Sequence, residues 1–418
     1  FHAAGRYAEA AEIYRKAAEA APDNSEPRIM QADSLERAGK IDEAEQVLRL
    51  LPSDNKARIR LAGILADRGK TEEAHKLYSE IIAGETNNTA LKASACLGRG
   101  RAAYRLFRFD SALADLQTAE KANPILMNEA RFLSVLCLYG LGKEEEAREA
   151  GAAYLLNCPD SSFLPDMALW IARYDFNRGR YAEARAAFLN FAKRWPKNSW
   201  ADTALVWAAR AAVQEHDYTG AIELLSNLTK SYPNSSRRTE ARFLQAESLF
   251  ELARFEEAVI LLNDITTREP ESEWSLKAWG RKGDALLSLG ADNTARYAEA
   301  LKAYREMLQF PGITPDQMVQ ARFKVGRCLE KMDKQEESLE QYYTQVILKF
   351  LSDYPQDETA FSSDGIGWFI KATYQAIDIL ERTGRSEEAL QILRRIGRAQ
   401  IPGTEILSQW MERIKKAR

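Results

Sequence analysis

Apolar residues recur along this chain at helical spacing, in pairs of runs separated by a short polar turn. In one stretch Ala241, Leu244, Ala246, Leu249 and Phe250 mark the apolar face of a first helix. Phe255, Ala258, Leu261, Leu262 and Ile265 mark that of a second. Pro270 then follows, and proline cannot continue a helix, so the chain must turn back. The expected fold is all-α, with about two helices per repeated unit and no sheet.

The turn between the two runs is itself repeated, which makes a domain count from length meaningless. Gly5-Arg6-Tyr7-Ala8-Glu9-Ala10 returns at Gly39–Ala44, Gly69–Ala74, Gly142–Ala147, Gly179–Ala184 and Gly384–Ala389. Looser copies stand at 107–112, 216–221, 253–258, 295–300 and 333–338, giving eleven units. Gly5 to Gly39 is 34 residues, and Gly142, Gly179, His216 and Ala253 are 37 apart. Pro22, Pro124, Pro159, Pro196, Pro233 and Pro270 each fall 17 residues after the first position of their motif.

Each fixed position has a mechanical reason. Glycine at the turn accepts the left-handed backbone that ends the first helix. The motif alanine lets the second helix approach the first closely, where a larger side chain would overpack. One turn on, Tyr14, Leu48, Tyr78, Leu116, Phe188, Leu225, Leu262 and Tyr304 lie on the same face and fill the space to the neighbouring unit.

This pattern resembles the tetratricopeptide repeat over nearly the whole chain, including the unit with Trp279, Gly283, Leu286, Ala300, Tyr304 and Met307 once the insertion Ala291–Ala295 is allowed for. The resemblance implies a right-handed superhelical solenoid of about eleven helix-turn-helix repeats over residues 1–403, with a capping helix at 404–418. Phe107, His216, Ala253, Ala295 and Asp333 replace the turn glycine, and Gly151 takes the aromatic position of its unit, so those units are expected to be less regular. Arg194-Trp195-Pro196-Lys197-Asn198-Ser199, Ser231-Tyr232-Pro233-Asn234-Ser235 and Asp353-Tyr354-Pro355-Gln356-Asp357 add a narrower likeness. They resemble the bacterial cell-envelope branch, of the Tol–Pal coordinator and outer-membrane assembly lipoprotein type, which implies a periplasmic or outer-membrane-associated location in place of a cytoplasmic one.

Phe1 falls where the tyrosine of a first helix belongs, so most of that helix is expected upstream, where a signal peptide or lipid anchor would also lie. Thr404–Arg418 reads as one amphipathic helix with Ile406, Leu407, Trp410, Met411 and Ile414 inward. The repeat phase breaks at 84–89, at 310–315 and between Phe350 and Trp368. Ser362–Gly367, in the last break, reads as a linker, with a binding loop as the alternative.

Chemistry changes this picture little. Lys+Arg 58 against Asp+Glu 61 gives a net charge of −3, without the basic excess that tracks phosphates, so nucleic acid is not an expected partner. No apolar run reaches the ~20 residues of a membrane span. Cys96, Cys137, Cys158 and Cys328 share no metal-ligand spacing, and His2, His75 and His216 sit in different units. Cys137 and Cys328 occupy equivalent helical positions and read as buried small apolar residues, whereas Cys158 lies in a loop where a thiol can be exposed. Gly98-Arg99-Gly100-Arg101 lacks the strand and the Gly-Lys-Ser/Thr ending of a phosphate loop and reads as helix packing. No catalytic residue, metal or cofactor is expected, and the chain is not read as an enzyme.

The resemblance places the first helix of each repeat on the inner, concave face. There Arg101, Arg173 and Arg210 share one position, Tyr104 and Phe176 follow three residues later, and Arg105, Asn177 and Gln214 come next. Glu247 and Asp284 take the arginine position further on, so the face should change from basic to acidic along the chain. Guanidinium groups beside aromatic rings suit carboxylates, and an acidic protein or peptide partner is expected at these eight residues. The expected function is a scaffold for protein–protein interaction in assembly of an envelope complex. The alternative is a carbohydrate-associated module of a polysaccharide export or cell-wall system.

Overall fold

The computed structural model describes residues 6–84, 88–354, 357–404 and 406–416. Phe1–Ala4, Gly5 and Pro355 lie outside them, and with them the expected remnant of an incomplete first helix. The described residues form helices joined by short turns and contain no strand. Two compact units divide the chain, residues 1–187 and 188–418.

Within each unit successive helices pack as hairpins. In the first, Thr89–Arg105 pairs with Phe109–Ala122 and Met127–Gly140 with Glu144–Asn157; in the second, Ala201–Gln214 pairs with Tyr218–Ser231 and Arg238–Glu251 with Phe255–Arg268. The closing residue of the turn motif is buried in all eleven repeats, from Ala10 to Ala389, with Ser338 in the alanine's place once. One turn on, Leu48, Tyr78, Leu116, Phe188, Leu225, Leu262 and Tyr304 are buried too. Bulk of this kind is received by glycine on a neighbouring helix: a Cβ on Gly283 or Gly326, on the preceding helix, would collide with the ring of Tyr304 or Tyr342, and one on Gly98, on the following helix, with that of Tyr78. Gly151 inverts the arrangement. It leaves room for Met167, whose sulfur would lie 3.1 Å from a Cβ there, so the next helix supplies the missing volume.

Where glycine is missing from the turn, the turn is kept. Phe107, His216, Ala253 and Asp333 adopt φ of 57, 59, 57 and 59°, beside 74–80° for Gly39, Gly69, Gly142, Gly179 and Gly384. The turns of those four units are therefore as regular as the others, contrary to the expectation, and only the unit of Asp333 is irregular, in its second helix. Burial of the flanking helices holds a backbone that costs roughly 1–2 kcal/mol for a residue with a Cβ. Ala295 alone differs: it ends the insertion Ala291–Ala295 by starting the helix Ala295–Leu308, and residues 291–294 make the turn. The prolines act as expected. Helices end at Ala20, Ala122, Asn157, Arg194, Ser231 and Arg268, each two residues before its proline, because the residue next to proline is forced out of helical geometry.

The phase breaks have local causes. Thr314 caps the helix Pro315–Lys331 through a reciprocal bond pair with Gln317. The second helix of the next hairpin begins at Gln335, widens to i→i+5 bonding over Gln341–Leu348 and runs on to Asp353. The extra length buries Phe350, whose ring stacks 4.4 Å from Phe369 and 4.6 Å from Phe361. Ser362–Gly367 is neither linker nor loop. Ser362 caps the helix Ser363–Arg382, its amide donating to Asp316 at 3.1 Å, and Gly365 is buried because a Cβ would strike that carboxylate. The last helix spans Ile406–Lys416 and buries Leu407 and Ile414, with Trp410 and Met411 packed beside them. Ile406, expected inward, is 45% exposed because it stands one residue before the buried Leu407 and so falls to the side of the packed face.

Two substitutions should move stability in opposite directions. Ala258→Leu, at a site with no accessible surface, should lower it by about 1–3 kcal/mol through overpacking. Ala253→Gly should raise it by about 1 kcal/mol by removing turn strain, net of the entropy that glycine adds to the unfolded chain. Urea unfolding midpoints at unchanged slope are the check on both.

Candidate functional site

The eight residues singled out on the first helices fall on three of them: Thr89–Arg105 and Leu164–Asn177 in the first unit, Ala201–Gln214 in the second. The arginine position lies six residues before the turn. At two such places an ion pair forms with the first helix of the following hairpin, whereas Arg327, also six before its turn, pairs with Glu330 of its own helix at 3.4 Å. Arg101 binds Glu129, and Arg210 binds Glu240 at 2.5 Å while its guanidinium lies 4.9 Å over the Trp207 ring. Both glutamates stand thirteen residues before their own turns. Glu240, 8% exposed in its side chain, also takes a bond from Arg237 at 3.2 Å.

The same position carries acids elsewhere, and the answer then comes from a base nine residues before the next turn, counting to Gly290 in the unit with the insertion. Asp33 meets Arg60 at 2.7 Å, Glu247 meets Arg281 at 2.7 Å, and Asp284 meets Lys324 at 2.5 Å. Tyr304 donates to the same Asp284 at 2.6 Å, and burial pushes its hydroxyl well above the ordinary tyrosine range. Arg281 lies 4.6 Å over Phe250, and its bonds to Glu247 raise its already high pKa. The expected change from basic to acidic along the helices is thus a set of locally cancelled pairs. The partners that single-repeat reading misses, Glu129, Glu240, Arg60, Arg281 and Lys324, carry a signal only when charges are compared across successive units.

The aromatic positions are also engaged. Tyr104 packs on Phe109 with ring centroids 5.9 Å apart, Phe176 on Tyr181 at 5.3 Å and Phe250 on Phe255 at 5.1 Å. Each pair joins the residue three before the turn to the one two after it. Arg105 reaches back two helices to the C-terminal end of Asn55–Asp67, where it donates to the Ala66 carbonyl at 2.8 Å and to Asp67 at 3.1 Å.

Arg173 is different. It is exposed and, among the described residues, makes no ion pair or hydrogen bond. Asn177, four residues on, and Gln214 in the second unit are exposed and likewise without a partner. Three residues before Arg173 stands Trp170, stacked on Tyr174 at 5.6 Å, with the 47% exposed ring of Tyr139 edge-on at 5.6 Å. Cys158, which a loop position could have exposed, is 2% exposed, and Arg131 points toward its sulfur at 3.9 Å. The other three cysteines are buried, and burial lifts the thiols of Cys137 and Cys328 to about 11 and about 12. Among the described residues no cluster of His, Cys, Asp and Glu could hold a metal ion, and no helix is long and apolar enough to cross a membrane.

Hairpins closed by a left-handed turn, a buried alanine and a proline stop define a helical-repeat protein. Three tetratricopeptide-repeat family profiles match it: a tetratricopeptide repeat at residues 1–67, another at 97–162, and a tetratricopeptide repeat-like domain at 137–324. The matches place tetratricopeptide repeats in residues 1–67 and 97–324 of the chain. Among solved structures it is similar to the C-terminal part of a repeat-containing protein from Cytophaga hutchinsonii, at 14% identity over 63% of this chain and 98% of that one, with a TM-score of 0.46. A tetratricopeptide repeat protein from Parabacteroides merdae shares 18% identity over 58% of this chain and 93% of that one, with a TM-score of 0.38. MamA from Desulfovibrio magneticus shares 17% over 46% and 97%, with a TM-score of 0.37. A search of curated proteins gives no match.

The ion pairs separate structural from available arginines. Arg210→Ala, which leaves Glu240 with Arg237 only, should cost about 1–2 kcal/mol of stability, and Arg173→Ala should change it by less than about 0.5 kcal/mol. Thermal unfolding of both variants is the measurement. The thiols give a pH test. A thiol whose pKa is raised by folding stabilises the fold fully below its ordinary value of 9.0 and progressively less as pH climbs towards 11–12. Stability should therefore fall from about pH 9 upward, and a thiol reagent at pH 8 should label the native protein hardly at all.

Proposed function

We propose that the protein is a non-enzymatic scaffold that holds a protein partner on the exposed stripe of Leu164–Asn177, centred on Arg173. One observation carries the reading. Of the four arginines six residues before a turn, Arg101 and Arg210 are committed to glutamates of the following helix and Arg327 to Glu330 of its own, whereas Arg173 is exposed and unpartnered. A free guanidinium with Trp170 three residues before it and Asn177 four after it supports an acidic peptide segment. Arg101, Tyr104, Arg105, Phe176 and Arg210 then serve as the frame that spaces the helices of their own units, and Gln214 has no part in this stripe.

We further propose a place for the scaffold in the bacterial envelope, periplasmic or attached to the outer membrane, where it would assemble a multiprotein complex. The support is the aromatic-proline signature at Trp195-Pro196 and Tyr232-Pro233, whose two loops are joined by a bond from the Tyr232 hydroxyl to the Pro196 carbonyl at 3.1 Å.

The experiment is capture of partners from the native cell by the tagged chain, with Arg173→Ala and Arg210→Ala as the compared variants. Arg173→Ala should weaken capture about ten-fold and make the remainder insensitive to salt. Undiminished capture by Arg173→Ala moves the site off this stripe. Fractionation of the same cells should place the protein with the envelope, and recovery in the cytosol rejects the envelope assignment alone.

A further inference from the structure

At the last hairpin the charge rule described above is broken. Asp378 stands six residues before the turn at Gly384, where an acid should be answered by the following helix. Here its partner is Arg382 of its own helix, at 2.8 Å and four residues on, and its side chain stays 39% exposed. The following helix, Ile406–Lys416, instead sends Arg413 to Glu381 at 2.5 Å. Between the two helices lies a cavity of about 380 Å³. Tyr374, 45% exposed, and Trp410 meet edge to face in its wall with centroids 5.3 Å apart, and the buried Ile377 lines it with them.

The chemistry of this lining is specific. Two carboxylates and two guanidiniums cancel in charge, so the cavity neither attracts nor repels an ion as a whole. Each pair is partly exposed, so lone pairs and N–H groups remain unused and lie side by side. Neighbouring acceptors and donors match vicinal hydroxyls, each of which both gives and takes a hydrogen bond. Two aromatic rings at the edge supply a surface for the C–H face of a saturated ring. A concave site with an apolar wall and a few convergent polar groups is the usual form of a small-molecule site. A charged peptide would have to break the ion pairs to use them, whereas a neutral polyol would not.

We infer that this cavity binds a neutral pyranose residue of a polysaccharide, a binding function separate from the protein-partner stripe at Arg173. Tyr374 and Trp410 stack the sugar, and Asp378, Glu381, Arg382 and Arg413 hold its hydroxyls.

The test is saturation-transfer NMR and calorimetric titration of the full chain with hexamers of β-1,4-glucose, α-1,4-glucose, β-1,4-N-acetylglucosamine and β-1,4-mannose. At least one hexamer should bind, with affinity unchanged between 50 and 500 mM salt, in contrast to a charge-driven site. Tyr374→Ala and Asp378→Ala should each weaken binding about ten-fold or more, Tyr374→Phe should retain it, and Arg173→Ala should leave it untouched. Failure of all four hexamers overturns the inference. So does equal affinity in wild type and Tyr374→Ala, which locates the sugar elsewhere. Binding of short peptides that is lost in the same two variants, without any sugar binding, assigns the cavity to a peptide and overturns it as well. None of these outcomes bears on the Arg173 stripe, which has its own variant.

Discussion

The close approach of the two helices in each hairpin is the constraint on which everything else rests. It requires a residue no larger than alanine at the end of the turn motif, and all eleven such positions are buried. Once the backbones are that near, the chain has to reverse within two or three residues. The left-handed turn follows, and the packing sustains it even where phenylalanine, histidine, alanine or aspartate stands in glycine's place. The large residue one turn on then has to go somewhere, and Tyr78, Leu116 and Tyr304 go over a glycine of a neighbouring helix. Volume, turn and sequence period are therefore one requirement expressed three times.

Charge works at the next level, between hairpins. Apolar packing alone lets neighbouring first helices slide or rotate by small amounts, since dispersion is not directional. An arginine or acid six residues before the turn, answered at a set place on the next first helix, adds direction. Pairs with one partner largely buried, such as Glu240, are held more firmly than the exposed i,i+3 pairs on the second helices, which contribute little individually. Availability for a ligand then becomes an exception to be located, and Arg173 and Asp378 are two places where the pattern lapses.

Much of this architecture was legible in the sequence because helical repeats translate volume directly into residue type. Ala184, Ala258 and Pro233 can each be assigned a mechanical task without coordinates. The turns at Phe107 and Ala253 were misjudged for a physical reason: glycine's advantage there is about 1 kcal/mol, which tertiary packing easily overrides. Ser362–Gly367 was misread as a linker because the repeat phase breaks there, whereas Gly365 makes room for Asp316, distant in sequence. The candidate site was less readable. Arg101, Arg173 and Arg210 are indistinguishable within their own repeats, and what separates them sits 28 to 30 residues further on at a spacing that changes with every loop. Tyr374 and Trp410 belong to different helices and meet only in three dimensions.

The ion pairs between first helices also restrict how such a chain can be rearranged. Arg101 and Arg210, six before their turns, each face a glutamate thirteen before the next turn, while Asp33, Glu247 and Asp284 each face a base of the next first helix. Repeats that share one fold and one core are therefore not interchangeable at their junctions. A shuffled or duplicated array would set Arg210 against Arg281, or Glu247 against Glu240, in a partly desolvated seam. Order along the chain is thus written in charge, separately from the volume code that makes each repeat fold, and copying a repeat is simple only where its two edges happen to be complementary.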